Sequence, residues 1–127
     1  MLTKLLKAKL HRACVTQTDI NYHGSITIDA ALLDASGLLP NEAVTVADCE
    51  NGNRFETYVI PGPRGSGAIG VNGAAARLTQ IGHHLIVLSF VYCQSDELAT
   101  HRARVLILDA RNHVVQSLNP SSILEAP

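Results

Sequence analysis

The sequence predicts a mainly β chain folded as one compact barrel with short helices. Three observations lead there. From Lys7, the residues Lys7, Lys9 and His11 alternate with Ala8, Leu10 and Arg12, the period of two that marks a strand. HHLIVLSFVYC (83–93) and RVLILDA (104–110) are near-continuous apolar runs, as in strands buried on both faces. A short pattern also recurs: Ile69-x-Val71-Asn72-x-Ala74 parallels Ile26-x-Ile28-Asp29-x-Ala31. In each copy a short strand ends in an Asx cap, an alanine-rich helix follows, and another strand comes next. Two similar strand–helix–strand halves imply one closed unit.

Composition limits the function. A length of 127 residues suits one domain, and 46% hydrophobic against 17% charged residues excludes wholesale disorder. A net charge of −1 argues against a general nucleic-acid binder. Cys14, Cys49 and Cys93 lie far apart with no CxxC, which fits reduced thiols in the cytoplasm better than a disulfide framework. The histidines are scattered apart from His83–His84, which would point to opposite faces of a strand, so no metal site is expected. MLTKLLKAKLHR lacks a continuous apolar stretch and an A-x-A cleavage site, so no signal peptide is expected. No window approaches the roughly 20 apolar residues of a membrane span.

The elements follow in order. The first strand carries Lys9 and His11, which either belong to a solvated edge strand or present cations to an anionic ligand. DAALLDASG reads as a short helix capped by Asp29 and ended by Gly37. The chain turns at Pro40–Asn41 and runs as a strand through Val44 and Val46. Asn51–Gly52 predicts a hairpin. Its return strand, 54–60, sets Arg54, Glu56 and Tyr58 on one face and Phe55, Thr57 and Val59 on the other. PGPRGSGAIG is a loop. Periodicity fades after Gln116, so the tail after about 117 is expected to be loosely ordered.

The chemistry begins at Gly24–Ser25. A serine hydroxyl can attack the preceding carbonyl if the backbone is held in a strained geometry, which glycine tolerates. The resulting ester can expel its acyl group by β-elimination, leaving a dehydroalanine that hydrolyses to a pyruvoyl group. Such a ketone forms a Schiff base with an amine substrate and serves as an electron sink. By itself a Gly–Ser pair signals little; Ser66 also follows a glycine, in RGSG.

Four motifs in order sharpen the reading: KLHR at 9–12, YHGS at 22–25, NGNRFETY at 51–58 and VNGAAA at 71–76. Together they resemble the pyruvoyl-dependent aspartate 1-decarboxylases over roughly residues 1 to 93. The resemblance implies a double-psi β-barrel assembled as a homotetramer with active sites between subunits. It implies self-cleavage between Gly24 and Ser25 into a β chain, 1–24, and an α chain, 25–127. The cofactor would be the covalent pyruvoyl group from Ser25, with neither metal nor pyridoxal phosphate, and L-aspartate would become β-alanine and CO₂ for pantothenate and coenzyme A. Thr57 matches the residue that stabilises the processing oxyanion and also contacts substrate. Tyr58 matches the proton donor, and Lys9 and Arg54 match the cations that hold carboxylates. Gly73, Ala74 and Ala75 match the backbone that touches substrate, while His11, Tyr22 and Asn72 match pocket-lining residues. Many family members carry an acidic residue where this chain has His23, which leaves the processing rate and any maturation factor open. Two other readings remain: a non-catalytic barrel binding small anions or a protein partner, and a pyruvoyl decarboxylase for another amino acid.

Overall fold

The computed structural model describes residues 1–124, and it is mostly strand. The strands are β1 (Leu2–Cys14), β2 (Gln17–Asp19), β3 (Ser25–Asp29), β4 (Ala43–Asp48), β5 (Arg54–Gly62), β6 (Ile69–Asn72), β7 (His84–Gln94), β8 (Arg104–Leu108) and β9 (Val114–Leu118). One helix, α1 (Ala30–Ser36), follows β3, and a 3-10 segment (Gly73–Leu78) follows β6. The strands join in the order β2-β6-β3-β5-β4-β7-β1-β8-β9. The mainly β, barrel-like fold with short helices is therefore as the sequence predicts.

The repeated pattern has a structural counterpart. β3 and β6 pair antiparallel, Ile26 with Val71 and Ile28 with Ile69, so the two copies lie side by side head to tail. Ile26, Ile28, Ile69 and Val71 are all 0% exposed and form the centre of the core with Leu10, Val46, Val59, Leu85 and Val87. The copies differ at their caps. Asp29 accepts from Ala31 N at 2.8 Å and caps α1, which Gly37 ends in the left-handed conformation. Asn72 makes no side-chain cap; its amide turns inward instead, and only a 3-10 segment follows, not the expected α-helix. Asp29 also accepts from Gly65 N and Gly67 N, tying the Pro/Gly loop to the strand.

Three expectations are corrected. β1 is not an edge strand: it pairs with β7 on one side and β8 on the other. Arg12 does not share the buried face of Leu10. It takes a positive φ of 65° at a register shift, and Ala13 fills the core position. β7 is not buried on both faces: alternate residues are only partly covered, and Phe90 and Tyr92 are 42% and 63% exposed. Continuous apolarity therefore marked an outer face of the sheet rather than a second core. Pairing also continues past Gln116. β9 runs to Leu118 against β8, Ala103 N donates to Pro120 O, and Arg102 bridges Ser121. Edge pairing needs only backbone groups, so it survives a sequence with no side-chain period. The expected loose tail includes residues 125–127, which lie outside the described residues.

The hairpin at Asn51–Gly52 joins β4 to β5 as expected, with Gly52 at φ 76°. Asp48, fully buried, organises it by accepting from Glu50 N and Asn51 N. The same carboxylate takes Thr79 Oγ1 and His83 Nδ1, both at 2.7 Å, and so pins the chain that follows the 3-10 segment.

Candidate active site

Gly24–Ser25 enters β3 directly opposite the end of β6, where Ser25 pairs with Asn72. Ser25 is 1% exposed. Its hydroxyl donates to His23 O at 2.9 Å and accepts from Asn72 Nδ2 at 3.0 Å. A hydroxyl oxygen has two lone pairs, so one remains after the Asn72 contact. The same Asn72 amide donates to Thr27 Oγ1 at 3.0 Å, which locks its orientation. Thr27 was not singled out by sequence reasoning. Strand parity carried the signal: Thr27 is two residues beyond Ser25 and so shares its face.

The glycine that the site needs is Gly73. Its φ is +77°, and a Cβ there would lie 2.6 Å from Gly24 Cα, 2.9 Å from Gly24 N and 3.4 Å from Tyr22 O. The turn that opens the 3-10 segment therefore presses backbone against backbone at the Gly–Ser junction. Gly24 itself has no positive φ, and a Cβ on it would meet open space. The left-handed glycine of the site thus lies across the strand pair at Gly73 and not at Gly24, before Ser25.

The remaining residues divide between two places. β5 lies beside β3 in parallel register, Ile26 opposite Val59. Continuing that register by two residues sets Gly24 level with Thr57 and Ser25 level with Tyr58. Tyr58 is 38% exposed, and Arg54 and Glu56 share its outward face. Tyr22 is half exposed and stacks edge-on against His23 with ring centres 5.4 Å apart. Ala74 is exposed, whereas Ala75 packs against the core.

Lys9 and His11 stand elsewhere, on β1, four strands from β3 in the sheet order. A single row of paired residues runs His11–Ile86–Ala47–Arg54 across the outer face. Three steps of about 4.8 Å separate His11 from Arg54 by roughly 14 Å. His11 sits below the ordinary histidine range because partial burial, Lys9 and Arg12 all disfavour its cation. One chain thus brings Gly24, Ser25, Asn72 and Gly73 into contact, sets Thr57 and Tyr58 on the adjoining strand, and places Lys9 and His11 four strands from β3 in the sheet order.

Asp48, Glu50 and His83 bring three potential ligand atoms within 4.8 Å of one another. Asp48 is already hydrogen-bonded to Thr79, His83 and two backbone amides, so the cluster has a structural purpose as a staple.

Fold and site together define a small β-barrel protein with a Gly–Ser junction whose buried serine is held by an asparagine amide and whose exposed glycine is pressed by a second glycine. The aspartate decarboxylase family model matches residues 1–115, and the chain belongs to that family. Aspartate 1-decarboxylase from Pelotomaculum thermopropionicum is 52% identical over 116 residues, covering 91% of this chain and 88% of that protein. The protein of the same name from Geobacillus sp. (strain WCH70) is 51% identical, with 91% of each chain covered. That from Neisseria meningitidis is 49% identical, with 90% of each covered. No described helix is long and apolar enough to cross a membrane.

Proposed function

We propose that the chain cuts itself between Gly24 and Ser25 and converts L-aspartate to β-alanine and CO₂, supplying pantothenate and coenzyme A synthesis in the cytoplasm. The observation that carries this reading is the buried Ser25 hydroxyl, held by Asn72 and His23 O at a junction against which Gly73 leaves no room for a Cβ. Such a cradle fits a group made from Ser25 itself, with no added atoms to house. When formed, the ketone supplies an electron sink for loss of CO₂ from an amino acid.

The residues of the chain would do the rest. Asn72 holds Oγ in place while its remaining lone pair meets the Gly24 carbonyl carbon, and Thr57, level with Gly24 on β5, would donate to the developing oxyanion. Arg54 would clamp the carboxylate that stays, because a guanidinium offers a planar two-pronged donor. The carboxylate that leaves must stay unpaired, since a cation there would stabilise the charge that has to be lost. Tyr58, on the same outward face as Arg54, would return the proton to carbon. The position of Lys9 and His11 four strands from Ser25 in the sheet order supports a site completed between copies in a homotetramer. His23 in place of an acidic residue leaves room for a maturation factor that speeds the cut.

The test is decarboxylation of L-aspartate by the purified, aged protein beside its Ser25→Ala variant. CO₂ and β-alanine are expected from the first and neither from the second. A variant as active as the parent would remove Ser25 from the chemistry.

A further inference from the structure

Away from the Gly–Ser junction, a thiol and an imidazole face one another. Cys93, near the end of β7, is 5% exposed and lines a cleft of about 390 Å³ with Lys7, His101, Arg102 and Arg104. Its Sγ is 3.8 Å from His101 Nδ1. The other ring nitrogen, Nε2, lies 2.8 Å from Leu6 O. A carbonyl oxygen can only accept, so Nε2 carries the proton and Nδ1 presents a lone pair to the thiol. Among the described residues Cys93 alone has such a partner. Cys14 Sγ approaches only a carbonyl, Val15 O, at 4.0 Å, and Cys49 is exposed.

The cleft adds a second, independent feature. Three cations line it against one carboxylate, Glu97, and Glu97 is engaged with Gln94 N at 2.8 Å. Lys7 is paired with Glu42 at 2.7 Å, and Arg102 donates to Asn119 O at 3.0 Å, so these side chains are held in place. With the Lys7 charge met by Glu42, the Arg104 guanidinium in the lining favours an anion in the cleft.

We propose that Cys93 and His101 form a site for thiol–disulfide exchange with small anionic disulfides. His101 Nδ1 takes the thiol proton. The Cys93 thiolate then attacks one sulfur of the incoming disulfide, a new S–S bond forms and the old one breaks. The released half leaves as a thiolate and collects the proton from the imidazolium. No electrons are gained or lost overall: the disulfide added is the disulfide retained, now shared with Cys93. The cations hold the carboxylates of the incoming molecule.

The probes are dithiobis(nitrobenzoate), an anionic disulfide, and cystamine, a cationic one, with each cysteine followed by peptide mass mapping. The preference of Cys93 for the anionic probe is expected to exceed that of exposed Cys49 about tenfold, Cys49 correcting for the faster departure of the aromatic thiol. His101→Gln keeps a donor for Leu6 O but no base, so Cys93 labelling should slow at least about tenfold while Cys49 is unchanged. Arg104→Gln should reduce the preference for the anion. No adduct at Cys93, the same probe preference at Cys93 as at Cys49, or an unaltered rate in His101→Gln would each overturn the proposal. If His101→Gln unfolds, Cys14 and Cys93 will both label as fast as Cys49, and the probe preference of the parent protein decides.

Discussion

Replacing Gly73 by alanine probes the contact on which the Gly–Ser junction rests. The new methyl carbon would sit 2.6 Å from Gly24 Cα and 2.9 Å from Gly24 N, both backbone atoms that cannot swing aside like a side chain. An L-residue at φ +77° adds a left-handed penalty of about 1–2 kcal/mol. Overpacking into a fitted site adds about 1–3 kcal/mol. The sum is about 2–5 kcal/mol. With an unfolding entropy of about 2.1 cal/mol/K per residue over 127 residues, that lowers Tm by roughly 7–19 °C. Relief of the clash would push Gly24 away from Gly73 and carry Ser25 off its Asn72 and His23 partners. Thermal unfolding and a time course of intact mass measure both effects. A variant with unchanged Tm that cleaves at the parent rate would refute the reasoning, because it would mean that the close backbone approach is not needed.

The other predictions concern Asp29 and Tyr58. Burial raises the Asp29 pKa, but amides of Gly67, Ala31 and Gly65, with Arg64 nearby, outweigh it and hold the group below its ordinary value of 3.8. A depressed folded pKa contributes stability that is present above the unfolded value and lost as pH falls through the folded one. Asp29→Asn should therefore cost about 1.5–3 kcal/mol near neutral pH, and urea unfolding should show the gap from the parent closing in acid. A gap independent of pH would show that the charge is not what the three amides recognise. Tyr58→Phe should cleave normally and yet turn over aspartate poorly, by about 10²–10⁴-fold, when fragment mass and CO₂ release are followed together. Normal turnover would assign the proton to another group.

Much of the fold could be read from local pattern. Asp29 and Gly37 bound α1 because capping is a short-range matter, and Asn51–Gly52 marked the hairpin for the same reason. Neighbour relations were harder. Nothing local shows that β1 lies between β7 and β8, because parallel pairing of β1 with β8 joins segments far apart in sequence. Arg12 deviates through a bulge, a feature of two strands and not of one. At the site, the identities of Ser25, Asn72 and Gly73 came from resemblance, but their contacts did not. Asn72 looked like a second Asp29 in the repeat. It serves a different end because β3 presents Ser25 and Thr27 to it across the strand pair. The place of Lys9 and His11, four strands from that of Ser25, depends on sheet order, which alternation cannot encode.

Intact-mass analysis of aged, purified protein tests the central claim most directly. The account predicts two species, residues 1–24 ending in the Gly24 carboxylate and residues 25–127 beginning with a ketone. Together they should weigh one water more and one ammonia less than the uncut chain, and a carbonyl reagent should label the larger fragment alone. A chain that stays whole and yet releases CO₂ from aspartate would contradict it.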